Sequence, residues 1–287
     1  GAGRLGLGVL NLLAEPLDLG QAVALGLPAS AQTRDLLAEA GELGEDPLLM
    51  IVADHGFTSF RRGVNLNNLL VELGYLVLKE GKTVEEWAQG RSDFHPYVDW
   101  EKTRAYSMGL GKVFINLQGR EPKGIVTPEE YDAVVDAICA DLLEVTDGEG
   151  GPKVVTTASR RDELFSGDWW KEGTTQRMVR GEPEDYTHDG FADIFLGYAP
   201  YYRVSWSNTM GGLDPSAIVD NTNHWSGGHV SVDPSHVPGV FFSNRKFSSP
   251  ASAGLIDIGP TVLERYGLDP AQTDMDGKVL PLQGLSP

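Results

Sequence analysis

Residues 48–62, Leu-Leu-Met-Ile-Val-Ala-Asp-His-Gly-Phe-Thr-Ser-Phe-Arg-Arg, decide how the chain is read. An apolar run stops abruptly at Asp54-His55-Gly56, and two arginines follow. Leu48–Ala53 carries apolar side chains at successive positions, the pattern of a strand covered on both faces in a mostly parallel sheet. Side chains on adjacent strand residues diverge, so Asp54 and His55 can meet one ion only where the strand unwinds, and Gly56 permits that turn. A carboxylate oxygen and an imidazole nitrogen together suit zinc or a similar divalent ion. The plainer alternative is a polar strand end running into a loop.

Outward from this stretch, helix and strand signals alternate. Residues 34–43 read as a short helix capped near Ser30 or Thr33. Asn65–Leu73 reads as another, ended by Gly74, with Tyr75–Leu78 as a short strand. Trp87 and Trp100 are expected to anchor the polar stretch 79–105. Lys112–Leu117 alternates like a strand. Thr127-Pro128-Glu129-Glu130 carries a capping box, and Tyr131, Val134, Val135, Ile138 and Leu142 share one helical face. Lys153–Thr157, Ala192–Leu196 and Gly239–Ser243 read as strands, 166–190 as a charged loop region, and Ile256–Tyr266 as a helix closed by Gly267. There are no internal repeats or heptads. The class is α/β with a parallel-rich sheet.

Composition narrows the functions. A formal net charge of −18 over 287 residues argues against nucleic-acid and anionic-membrane partners. It leaves room for a small anionic substrate, because bound divalent ions invert the local field. No apolar run reaches membrane-spanning length. The single Cys139 forbids an internal disulfide. The chain opens Gly-Ala-Gly without an initiator Met or signal-peptide pattern, which reads as a chain starting part-way through a protein; a cytoplasmic location is favoured.

Of six histidines, three fall between 224 and 236, in Asn-His-Trp-Ser-Gly-Gly-His-Val-Ser-Val-Asp-Pro-Ser-His. Such a Gly-rich loop before the apolar Val240-Phe241-Phe242 is a natural place for ligands. His95 and His188, each isolated, read as surface or hydrogen-bonded residues.

The ordered series "VADHGF", "NLNNLLVELGYL", "VDWEKTRAYSMGLGKVFINLQGREPKGIV", "GYAPYYRVSW", "NTNHWSGGHVSVDPSHVPGVFFSN" and "IDIGPTVLERYGLDP…DMDGKVL" resembles the alkaline phosphatase superfamily. The branch is the predicted phosphohydrolase/phosphomutase group related to type I phosphodiesterases and nucleotide pyrophosphatases, over about residues 34 to 280. The resemblance implies an alkaline-phosphatase-like α/β core with a parallel-rich central sheet flanked by helices. It would form one domain over 1–287, with an inserted elaboration at about 79–190.

It also implies a site with two divalent ions, zinc or manganese, with Asp54 and His55 on one ion and His229 on the other. The reaction implied is phosphoryl transfer from a small phosphoester through a Ser or Thr nucleophile. Phosphodiester hydrolysis leads; phosphomonoesterase or phosphomutase activity, or an inactive relative, are the alternatives. His224, His236 and Arg61, with Arg62 beside it, are candidates for the substrate side, since guanidinium suits phosphate oxygens. The family's Asp-x-x-x-His pair should precede the Asp-His-Gly strand, yet no His precedes His55, and neither Ser30 nor Thr33 matches the nucleophile context. The nucleophile is therefore unassigned, and these 287 residues alone are expected to turn over little.

Overall fold

The structure, a computed structural model, describes residues 48–89, 97–165, 174–179, 182–187, 191–243, 245–246 and 253–283. The helix expected at 34–43, Ser30, Thr33, His95 and His188 lie outside them. The described residues fall into two compact units, one spanning 57–237 and the other 48–56 with 238–283.

In the smaller unit, β1 (Met50–Ala53) pairs antiparallel with β12 (Val240–Ser243), Met50 opposite Ser243 and Ala53 opposite Val240. Phe241, Ala253, Leu280 and Leu282 form its core, with Leu48, Met50 and Ile258 packed against them. Helix α6 (Ile258–Arg265) is entered through a 3-10 turn at Leu255–Asp257. The buried Asp257 carboxylate accepts from the Gly254 and Lys278 amides at 2.8 and 2.9 Å. Gly277 has to be glycine, because a Cβ there would lie 1.9 Å from the Ile256 carbonyl oxygen. The C-terminal "MDG" thus earns its place by backbone packing.

The larger unit contains two sheets joined by a buried core. Strand β2 (Thr58–Val64) pairs parallel with β9 (Tyr201–Val204) and antiparallel with β10 (Ile218–Asp220) and β11 (Gly227–Gly228). The second sheet is antiparallel, in the order β3 (Ala105–Ser107), β4 (Lys112–Ile115), β8 (Ile194–Tyr198), β5 (Val155–Arg160). Helix α3 (Tyr131–Leu143) packs on β5 and buries Val134, Val135, Ile138 and Leu142, the face set by its periodicity. Its capping box is present: the Glu130 amide donates to Thr127 Oγ1 at 3.3 Å, and the Thr127 amide to Glu130 Oε2 at 3.1 Å. Trp87 is fully buried, as expected of an anchor.

Helix α1 (Leu66–Glu72) is capped by Asn65, whose side chain accepts from the Asn68 amide. The asparagines of "NLNN" then bond outward. Asn67 exchanges two hydrogen bonds with the Ser107 backbone at 2.9 and 2.8 Å, and Asn68 exchanges two with the backbone of Asp214 at 2.8 and 3.0 Å. Buried amides each need such a complete set of partners, so this motif fastens the helix to two loops.

Several expectations are corrected. The described ladders are antiparallel apart from β2–β9 and isolated bridges, so they do not form a parallel-rich central sheet. The cause is β1: its continuous apolar run suggested cover on both faces, yet the strand is half-buried, Val52 is exposed, and its partner runs antiparallel. Within Tyr75–Leu78 only Leu78 makes a bridge, to Val98. The region read as a charged loop contains an antiparallel hairpin, β6 (Thr174–Val179) with β7 (Glu182–Thr187). No helix among the described residues is long and apolar enough to cross a membrane.

Candidate active site

Strand β1 ends at Ala53, and the backbone then opens through Asp54-His55-Gly56. The His55 imidazole bonds the Gly56 carbonyl through Nδ1 at 3.0 Å, so Nδ1 carries the proton in the neutral ring and Nε2 carries the lone pair. Nε2 lies 3.6 Å from Asp54 Oδ2. Two donors on one tetrahedral ion at roughly 2.0–2.2 Å lie about 3.3–3.6 Å apart, so this pair fits two adjacent coordination positions. A backbone carbonyl holding the second ring nitrogen is also the usual way in which a ligating histidine is oriented. Both side chains reach solvent, Asp54 more than His55. Among the described residues, however, no group of three or more His, Cys, Asp or Glu side chains is placed to hold a metal ion. The pair fits one edge of an ion, and among the described residues no third ligand completes it there.

His229 belongs to the larger unit. It follows β11, whose Gly227 and Gly228 pair with Ser59 and Thr58, and its ring meets Phe57 edge-on at 5.3 Å between centroids. Gly227 and Gly228 lie against the rings of Phe57 and Phe60, which stand 3.6 and 3.7 Å from where a Cβ would be, an ordinary contact distance. After His229 the loop is pinned: the Tyr198 amide donates to the Ser231 carbonyl at 2.7 Å and the Asp233 amide to the Tyr198 carbonyl at 3.0 Å. Asp233 accepts from the Ser235 amide and hydroxyl and from Thr156 Oγ1 at 2.9, 2.7 and 2.9 Å. Burial alone would raise its carboxyl, but these donors, with His236 adding a smaller attraction, hold it below the ordinary value.

The loop that carries His224 is tied to the strand of Arg61, the Asn221 amide donating to the Arg61 carbonyl at 2.7 Å. His224 is exposed beside Trp225 in a loop closed by Asn221 Nδ2 donating to the Trp225 carbonyl at 2.7 Å. His236 ends an exposed 3-10 turn, Pro234–His236. Arg61 is exposed and lies over the Tyr201 ring, 5.8 Å from its centroid. Arg62 is committed to Asp220 at 2.6 Å and Asp147 at 2.7 Å, which makes it a structural cation.

Sequence reasoning passed over Arg203, within "APYYRVSW". This side chain is 5% exposed, and its guanidinium lies between Phe60 and Trp206, 4.8 and 4.2 Å from the ring centroids. No signal in the sequence marks it, since an arginine in a short strand between tyrosines and a tryptophan reads as ordinary packing.

The model of the type I phosphodiesterase / nucleotide pyrophosphatase family matches residues 30–185, more than half of the chain, and takes in Asp54 and His55 but not His229. No curated protein and no solved structure matches the chain.

Proposed function

Because the chain belongs to the type I phosphodiesterase / nucleotide pyrophosphatase family, within the alkaline phosphatase superfamily, we propose that it serves phosphodiester hydrolysis with Asp54 and His55 as ligands of one divalent ion. Phosphoester hydrolysis in general is what the family carries. The finer reading rests on one observation: His55 Nδ1 bonds its neighbouring carbonyl while Nε2 and Asp54 Oδ2 stand 3.6 Å apart. His229, held against Phe57 two residues after His55 in the chain, is the proposed ligand of a second ion. Zinc or manganese there would neutralise charge on the transferring phosphoryl group and activate the attacking oxygen. The protein's own part is to hold the His55 ring in one tautomer and to present the Asp54 carboxylate beside it.

The same reading takes residues 1–287 as one domain with 79–190 as an elaboration. Three strands of the antiparallel sheet, and the helix upon it, come from that segment, and β8 closes it. An inactive relative is the competing reading, favoured by the lack of a third ligand among the described residues.

The test is Asp54→Asn. An amide is a poorer ligand than a carboxylate, so bound zinc or manganese, measured by elemental analysis after dialysis, should fall at least about tenfold. Hydrolysis of bis-(p-nitrophenyl) phosphate by the protein as it occurs in the cell should fall with it. Unchanged metal content and unchanged turnover would remove Asp54 from the site. Metal binding by the parent without any turnover would favour the inactive relative.

A further inference from the structure

Arg203 is a buried cation that meets no carboxylate among the described residues. Its Nε donates to the Val204 carbonyl at 3.1 Å, and its faces are covered by Phe60 and Trp206. Among the described residues no Asp or Glu forms an ion pair with it, and no hydrogen bond engages its two terminal nitrogens. Burial draws its pKa down, with no charged neighbour to restore it.

The side chain lines a cavity of about 190 Å³ in the larger unit, together with Ser205, Ser207, Asn221, Thr222 and Asn223. The two acidic residues of the wall are engaged elsewhere: Asp214 accepts from Ser207 Oγ and Asn65 Nδ2, and Asp220 holds Arg62. The stem and faces of the guanidinium are covered while its terminal nitrogens open on the cavity, so the charge is poorly hydrated and a bound anion would pair with it. Asp220 is offset by Arg62 and Asp214 is met by neutral donors, so an anion would be drawn by the open guanidinium fork itself and not by a net positive wall. Guanidinium matches phosphate oxygens two at a time, and Ser205, Thr222 and Asn223 offer further donors, while Ser207 and Asn221 are engaged with Asp214 and the loop backbone.

We infer that the Arg203 cavity is a binding site for a tetrahedral oxyanion, a phosphate or the phosphate head of a small ester. The residues of this site are distinct from Asp54, His55 and His229, and the inference does not depend on the phosphoesterase reading. The rings of Phe60 and Trp206 lie 4.8 and 4.2 Å from the guanidinium carbon and restrict where it can point.

The test is calorimetric titration of the whole chain, stripped of metal by chelator, with inorganic phosphate, sulfate and acetate at constant ionic strength. Saturable binding of phosphate and sulfate is expected, with acetate weaker. Arg203→Met and Thr222→Asp should each weaken phosphate at least about tenfold, the first by removing the cation and the second by placing a carboxylate in the exposed rim to occupy it. Asp54→Asn should bind phosphate like the parent. If Arg203→Met does not fold, Thr222→Asp decides alone. Three results would overturn the site: no saturable phosphate binding up to about 10 mM, binding unchanged by the variants that fold, or binding lost in Asp54→Asn. Acetate binding as tightly as phosphate would overturn the choice of a tetrahedral ligand.

Discussion

Two arginines of the larger unit, Arg120 largely covered and Arg203 buried, are held in opposite ways. Arg120 meets Asp193 with both terminal nitrogens, at 2.9 and 2.7 Å, and Glu121 through Nε at 2.9 Å. Asp193, 1% exposed, also accepts from the Tyr131 hydroxyl and the Ile115 amide at 2.7 Å each. Burial alone would lower the Arg120 guanidinium, but Asp193 and Glu121 reverse that and raise it. Among the described residues Arg203 meets no carboxylate and no bidentate partner, but two aromatic rings and one carbonyl. The first arrangement satisfies every group it buries and ties α3, β4 and β8 together. The second leaves donors unspent at a cavity. Complete pairing marks a structural charge, and incomplete pairing marks a charge kept for a ligand.

The comparison is broken most forcefully at Asp193. Asp193→Ala would leave Arg120 buried without its main partner and orphan the Tyr131 hydroxyl and the Ile115 amide. A loss of about 3–5 kcal/mol is expected, measured by urea unfolding, as for other buried pairs broken from one side. A loss below about 1 kcal/mol would mean that water replaces the carboxylate, and that full pairing does not identify a structural charge here.

Asp233 is an intermediate case, a buried carboxylate satisfied mainly by neutral donors. Thr156→Val removes one of them, the 2.9 Å bond from Oγ1. The Ser235 amide and hydroxyl remain, so the expected loss is about 1 kcal/mol at neutral pH. The sign of its pH dependence follows from a folded carboxyl held below the unfolded value of 3.8. The stabilisation is full above that value and is lost as pH falls through the depressed folded one. Parent and Thr156→Val should therefore begin to converge as pH falls below about 3.8 and meet below the depressed folded value, in urea unfolding curves collected across the acid range. A gap that persists there would assign the effect to packing instead.

Legibility in the sequence followed the range of the forces involved. Local signals carried through: the capping box at Thr127 and Glu130, the buried face of α3, and the strand ends at Ala53 and Ser243 stand where periodicity and caps place them. Strand direction did not, because an apolar run specifies burial and not the partner, and β1 found an antiparallel one. The asparagines of "NLNN" announced a helix, while their bonds to residues 107 and 214 depend on loops far away in sequence. At the candidate site, Asp54 and His55 were legible because one glycine and one strand end bring them together. Arg203 was not, because what distinguishes it is the partner it lacks, and sequence does not display a missing contact.

The smallest expected change is the sharpest discriminator. Arg203→Met exchanges a buried guanidinium for an apolar chain of similar length. The variant forfeits two cation–π contacts, each about 0.5–2 kcal/mol, and the bond to the Val204 carbonyl. It also relieves the desolvation of an unpaired charge, a term of comparable size and opposite sign. The two should nearly cancel, so thermal and urea unfolding are expected to place the variant within about 1 kcal/mol of the parent, with added phosphate stabilising the parent alone. A destabilisation of about 3 kcal/mol or more, near the value expected for Asp193→Ala, would class Arg203 with Arg120 as a structural cation. The aromatic sandwich would then be the whole reason for its burial, and the cavity beside it would carry no ligand.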